Sequence, residues 1–250
     1  MGHGYVAREN FVVRKWVLSL LALCAATSAS AGPRPRVVLD PGHGGSNSGA
    51  RGAVAGLYEK QLTLAIAREV AARLRDHGIA VALTRDGDRT LTLRQRSEVA
   101  DGLHADLFVS IHANASPTRT QRGYETYLLP PHGVDVDARA LRGEPATPRP
   151  GVDADIALVL DDVERGAAQW ESAELAGRVQ SALRDRRGAD GDRGVRQDVD
   201  HVLLGATMPA ILVEVGFIDH PIEGRQLADP AVQGQLASAI AEAIEDQLAD

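Results

Sequence analysis

The sequence predicts an α/β fold: a single three-layer domain with a mostly parallel, mixed central sheet and helices on both faces. Two observations carry this expectation. Short apolar runs recur along the chain, each halted by glycine, proline or a polar residue, as buried strands are. Between them lie segments with apolar residues at helical spacing, the alternation produced when crossover helices cover a sheet.

The N-terminus comes first. Arg14-Lys15 precedes the apolar run Trp16–Ala26 and the small residues Ala29-Ser30-Ala31, the order of a secretory signal peptide. Residues 1–31 are therefore expected to be a leader cleaved after Ala31, and residues 32–250 the working domain. The apolar run is shorter than the ~20 residues that span a bilayer. Cleavage removes Arg8, Arg14 and Lys15 but only Glu9 among the acids, taking the formal net charge from −7 to −9. An acidic chain without a basic stripe is a poor partner for nucleic acid or anionic lipid. Cys24 is the only cysteine and lies in the leader, so the exported protein folds without disulfides. It is expected to be a monomer in the periplasm, off the membrane once the leader is gone.

Val37-Val38-Leu39 reads as the first strand, ended by Asp40-Pro41-Gly42 with His43 standing in a glycine-rich turn. Leu62, Ile66, Val70 and Leu74 recur every fourth residue up to His77-Gly78, an amphipathic helix with a glycine stop. Residues 79–84 read as a strand, 91–101 as a helix, 106–112 and 124–129 as strands, and 209–214 as a late strand. Helices are expected at 171–187 and 230–249. The proline- and glycine-rich stretch from Pro130 to Gly151 breaks this rhythm, and an acidic segment, Asp153 to Arg165, follows with Ile156, Val159, Leu160 and Val163 on one helical face. Residues 130–168 are read as an inserted arm carrying its own helix.

Three apolar strands end in or just before His43, His112 and Glu214. Ligands of open α/β sheets gather outside the carboxyl ends of the strands, so these groups converge if the strands are parallel neighbours. Glu59, at the start of the first helix, returns to the same edge. Two histidines and a carboxylate form the ligand set of a catalytic zinc, and a second carboxylate supplies a general base. His3, His77, His104, His132, His201 and His220 sit in the leader, loops or turns and read as incidental.

The segments Leu39–Gly45, Glu59 at a helix start, Val109–Ala115 and Pro209–Ile218 resemble, in order, the motifs of the zinc-dependent N-acetylmuramoyl-L-alanine amidases (the amidase-3 family). Arg85, Asp86, Asp88, Leu91 and Arg94 are similar to the stretch that the family carries between its histidine motifs. The resemblance implies that His43, Glu59 and His112 bind Zn²⁺ and that Glu214 is the catalytic acid/base. The implied reaction is hydrolysis of the amide between N-acetylmuramic acid and L-alanine of peptidoglycan, in wall remodelling or daughter-cell separation. It further implies that the inserted helix covers the site until an activator protein displaces it. Ser46-Asn47-Ser48 and His220 depart from the family's usual residues without touching a ligand position. Two other readings compete: a zinc peptidase acting on a different bond, and a wall-binding module without turnover.

Overall fold

The computed structural model describes residues 36–130, 154–198 and 202–250, with the terminal Met1. The expected leader and most of the proline-rich arm lie outside these residues. The strands are β1 (Arg36–Pro41), β2 (Ala80–Leu83), β3 (Leu107–Asn114), β4 (Tyr124–Leu128), β5 (Asp192–Gln197) and β6 (Ala210–Phe217). The helices are α1 (Glu59–Asp76), α2 (Leu93–Gly102), α3 (Ala154–Arg187), α4 (Glu223–Leu227) and α5 (Pro230–Ala249). The strands form one sheet in the order β2-β1-β3-β6-β4-β5. β2, β1, β3 and β6 pair in parallel, β4 runs antiparallel to β6, and β5 is parallel to β4.

The uninterrupted apolar runs follow from burial on both faces. On one face Leu39, Val109, Ile111, Ile211 and Val213 pack with side chains of α1, α3 and α5. On the other, Val38, Phe108 and Leu212 meet Ala100 of α2 and Leu203 of a short 3₁₀ turn. Successive strand residues point to opposite faces, so both parities must be apolar. α1 starts where the Gln61 side chain accepts from the Tyr58 N–H at 2.8 Å, and it stops at Gly78, whose φ of 81° suits a residue without Cβ. Its stripe of Leu62, Ile66, Val70 and Leu74 is fully buried, each side chain contributing about 1.5–3 kcal/mol relative to exposure.

Three sequence expectations change. The helices expected at 153–165 and 171–187 are one continuous helix, α3. β5 was not expected, because Asp192-Arg193-Gly194-Val195-Arg196-Gln197 carries a single apolar residue; as an edge strand its side chains need no core. Finally, Asp40-Pro41 does not end the first strand: β1 runs through both.

That last change exposes a buried ion pair. Asp40 has no exposed surface, and its carboxylate accepts from Arg96 at 2.7 Å, Thr84 Oγ1 at 2.5 Å and Ser110 Oγ at 2.8 Å. Arg96 also donates to the carbonyls of Pro41 at 3.0 Å and His43 at 2.7 Å. Arg85, fully buried, donates to the carbonyls of Pro41 at 2.9 Å and Gly42 at 2.8 Å. Two guanidiniums thus hold three consecutive carbonyls of the turn that carries His43. Removing one partner of such a pair strands a buried charge. Arg96→Met is therefore expected to lower stability by about 3–5 kcal/mol, read as a shift of the urea midpoint at unchanged slope.

Candidate active site

Parallel pairing delivers the convergence expected from sequence. β1, β3 and β6 are adjacent, and His112 and Glu214 are direct register partners, so their side chains share a face. His43 follows β1 in the clamped turn with φ of 60°, a left-handed backbone that the two guanidiniums secure. Glu59 opens α1 and reaches the same point. Its Oε2 lies 3.0 Å from His43 Nε2 and its Oε1 2.9 Å from His112 Nδ1. One ligand atom from each of the three residues lies within 4.8 Å of the others. The imidazole rings stand edge to face, centroids 4.9 Å apart.

The carboxylate of Glu59 is fixed from all sides. The backbone N–H of Ala50 donates to Oε2 at 2.9 Å and that of Ala113 to Oε1 at 3.1 Å, beside the two imidazoles. Burial opposes its charge, but hydrogen bonds from His112 and His43 outweigh burial and hold the carboxyl well below the usual carboxylate range. For His43, burial acts downward, yet the hydrogen bond and charge of Glu59 raise the imidazole pKa overall. On the other side of that ring, Nδ1 lies 3.0 Å from Asn47 Oδ1. With Nδ1 held by this amide oxygen, Nε2 is the nitrogen directed at Glu59, donating to its carboxylate here and able to serve as a metal ligand once that proton is released. Asn47, one of the departures noted above, thereby gains a role that sequence alone did not suggest.

Two glycines make room for the cluster. A Cβ on Gly42 would lie 2.4 Å from the His112 ring, and one on Gly49 2.6 Å from Glu59 Oε2 and 2.7 Å from His43. The glycines around His43 are thus explained by what packs against them. Two imidazoles and an ionised carboxylate, pre-aimed at one point with no room for a further side chain, fit a divalent metal.

Sequence reasoning missed Glu125. It lies opposite Glu214 across the antiparallel β4–β6 pair, only 1% exposed. Its carboxylate accepts from Asn114 at 3.0 Å, Arg193 at 3.0 Å and Arg196 at 2.6 Å. A lone acid in the run Tyr124–Leu128 was the available signal. Burial first, then the charges of Glu125 and Glu214, pushes the nearby Tyr127 phenol up to about 12, so it stays neutral. His220, another departure, accepts from the N–H of Glu223 at 3.1 Å and steadies the start of α4.

Fold and site together define an α/β protein that presents three residues able to hold a metal ion, with a neighbouring carboxylate, at the C-terminal edge of its sheet. The chain belongs to the amidase-3 family, N-acetylmuramoyl-L-alanine amidase, which it matches over residues 37–246. It is 35% identical to the N-acetylmuramoyl-L-alanine amidase AmiA of Escherichia coli over 216 residues, 83% of this chain and 74% of that protein. Among solved structures it resembles the amidase AmiC2 of Nostoc punctiforme (32% identity, TM-score 0.66, covering 87% and 99% of the two chains). It is also similar to an N-acetylmuramoyl-L-alanine amidase of Clostridium difficile 630 (30% identity, TM-score 0.67, covering 87% and 98%). The protein is a hydrolase of amide bonds in peptidoglycan.

Gly42→Ala tests the packing argument. The added methyl displaces the His112 ring, so the affinity for a divalent cation, measured by calorimetry on the folded variant, is expected to fall by about 10–100-fold, the loss that follows a disturbed ligand orientation.

Proposed function

We propose that the protein is a zinc-dependent N-acetylmuramoyl-L-alanine amidase in which His43, Glu59 and His112 hold Zn²⁺ and Glu214 moves the protons. The observation that carries this reading is the register: Glu214 sits beside His112 on adjacent parallel strands, at the same edge where Glu59 meets both imidazoles. Zinc, when bound there, supplies a Lewis acid that polarises the amide carbonyl and lowers the pKa of water. The chain's own residues do the rest. Glu214, partly buried, accepts a proton from the attacking water and returns it to the departing L-alanine amine. Asn47 keeps His43 in the ligating tautomer, while Arg85 and Arg96 hold its backbone. The enzyme is taken to act in the periplasm, exported by the leader, on wall that is being remodelled or parted between daughter cells.

The test is a digest of purified peptidoglycan read by mass spectrometry. Stem peptides with a free L-alanine amino group are expected from the wild type and none after chelation. Glu214→Gln is expected to retain the metal and lose about 10²–10⁴-fold in turnover, the contribution of a general base. Cleavage at another bond, or undiminished turnover in Glu214→Gln, sinks the assignment.

We propose also that residues 130–168 restrain the enzyme until an activating partner draws them aside. In support, the segment is an excisable insertion: the Gln169 side chain donates to the carbonyl of Pro130 at 3.3 Å, so its two ends meet. The described ends of the segment lie at the sheet edge opposite the site. β4 leaves the site edge, and Ser172 of α3 accepts from the N–H of Ala210 at the start of β6, at the far edge. Deleting residues 132–168 is expected to raise basal hydrolysis, whereas equal rates in a folded, metal-loaded deletion protein would remove the regulatory role.

A further inference from the structure

The row His112, Glu214, Glu125 crosses β3, β6 and β4 on one face and runs into a basic cluster on β5. Glu125, Tyr127, Arg193, Arg196 and Asp198 line a cleft of ≈ 450 Å³ there. The two guanidiniums converge on the same oxygen of Glu125, Oε2, so one carboxylate faces two cations. Arg193 is held in plane by stacking over Phe217, its Cζ 5.0 Å from the ring centroid. Among the described residues its NH2 has one distant acceptor, Gln121 Oε1 at 3.4 Å. Arg196 uses Nε on Glu125, its side chain is 48% exposed, and its two terminal nitrogens have no acceptor among the described residues. A guanidinium anchored through Nε, with its other donors unanswered among the described residues, is set for bidentate capture of a carboxylate.

We propose that Arg196, supported by Arg193 and oriented by Glu125, is a subsite for a carboxylate on the stem peptide, on the leaving-group side of the cut amide. The proposal rests on the amidase reading above. Direction follows from chemistry: the amine that takes the proton of Glu214 lies on the Glu214 side of the metal cluster, so the peptide beyond it extends over β4 and β5. Distance agrees. β5 lies two strand spacings from β6, about 10 Å, and an extended peptide advances about 3.3–3.6 Å per residue. The second or third residue of the stem therefore meets the guanidiniums. γ-Linked glutamate at the second position carries a free α-carboxylate; in amidated walls a carboxamide replaces it and cannot pair with the cation.

Two muropeptides that differ only in this group, carboxylate or carboxamide, test the subsite. The wild type is expected to prefer the carboxylate form by about 10-fold or more in kcat/KM, the factor that one charge-assisted hydrogen bond carries. Arg196→Gln is expected to reduce the ratio of the two kcat/KM values to about one to three, and Arg193→Gln to reduce it less. Arg196→Gln leaves Glu125 with Arg193 and Asn114, and an unchanged melting temperature checks that the fold is intact. A wild type without preference, or a preference unchanged in Arg196→Gln, overturns the proposal. If the metal-loaded wild type cleaves neither muropeptide, the amidase reading fails instead. The subsite is then judged on binding of the free stem peptides: a carboxylate preference lost in Arg196→Gln supports it, and equal binding of the two forms refutes it.

Discussion

The buried contact between Asp40 and Arg96 is the constraint on which the site depends. Placing a carboxylate and a guanidinium among apolar strands is unfavourable unless every donor and acceptor is answered. Here Asp40 is answered by Arg96, Thr84 and Ser110, and Arg96 uses its remaining reach on backbone carbonyls of the following turn. Arg85 does the same from the other side. A glycine-rich turn has many conformations open to it when unfolded; this one is confined to a single conformation by charge-assisted bonds that water does not screen. The left-handed backbone of His43 is a consequence of that confinement.

From the fixed turn the remaining geometry follows by sheet register. Parallel pairing brings the ends of β1, β3 and β6 to one edge, and α1 begins beside them because its connection folds back through Gly49 and Gly52. Gly52 donates to the carbonyl of Leu57 at 2.9 Å, and Glu59 to that of Ala50 at 2.9 Å, closing the loop that presents the Glu59 carboxylate. Four nitrogens then surround that carboxylate. Its ionisation is maintained by neighbours and not by solvent, which suits a group meant to bind a cation.

Much of this was legible in the chain itself. Val37–Leu39, Leu107–Val109 and Ile211–Val213 are apolar at every position, and only strands covered on both faces require that. The spacing of Leu62, Ile66, Val70 and Leu74 fixed α1 and hence the place of Glu59. Because the strands turned out to be neighbours and parallel, His43, His112 and Glu214 meet at one edge as expected. What stayed hidden depends on long-range partners. Asp40 reads as a turn residue until Arg96, 56 positions away, is seen to answer it. β5 has no core face and so no periodicity. The helix boundary near residue 168 was placed by composition, but helical hydrogen bonding continues through Gly166, where a glycine weakens a helix without ending it.

The reversal at β4 has a consequence for how this molecule meets an insoluble mesh. Had β4 run parallel to β6, its following loop would have emerged beside His43, His112 and Glu214. Instead the chain turns its back on them, and the acidic insertion leaves from the rear of the sheet. The described ends of that segment are thus rooted away from the edge at which His43, Glu59 and His112 face the glycan strands.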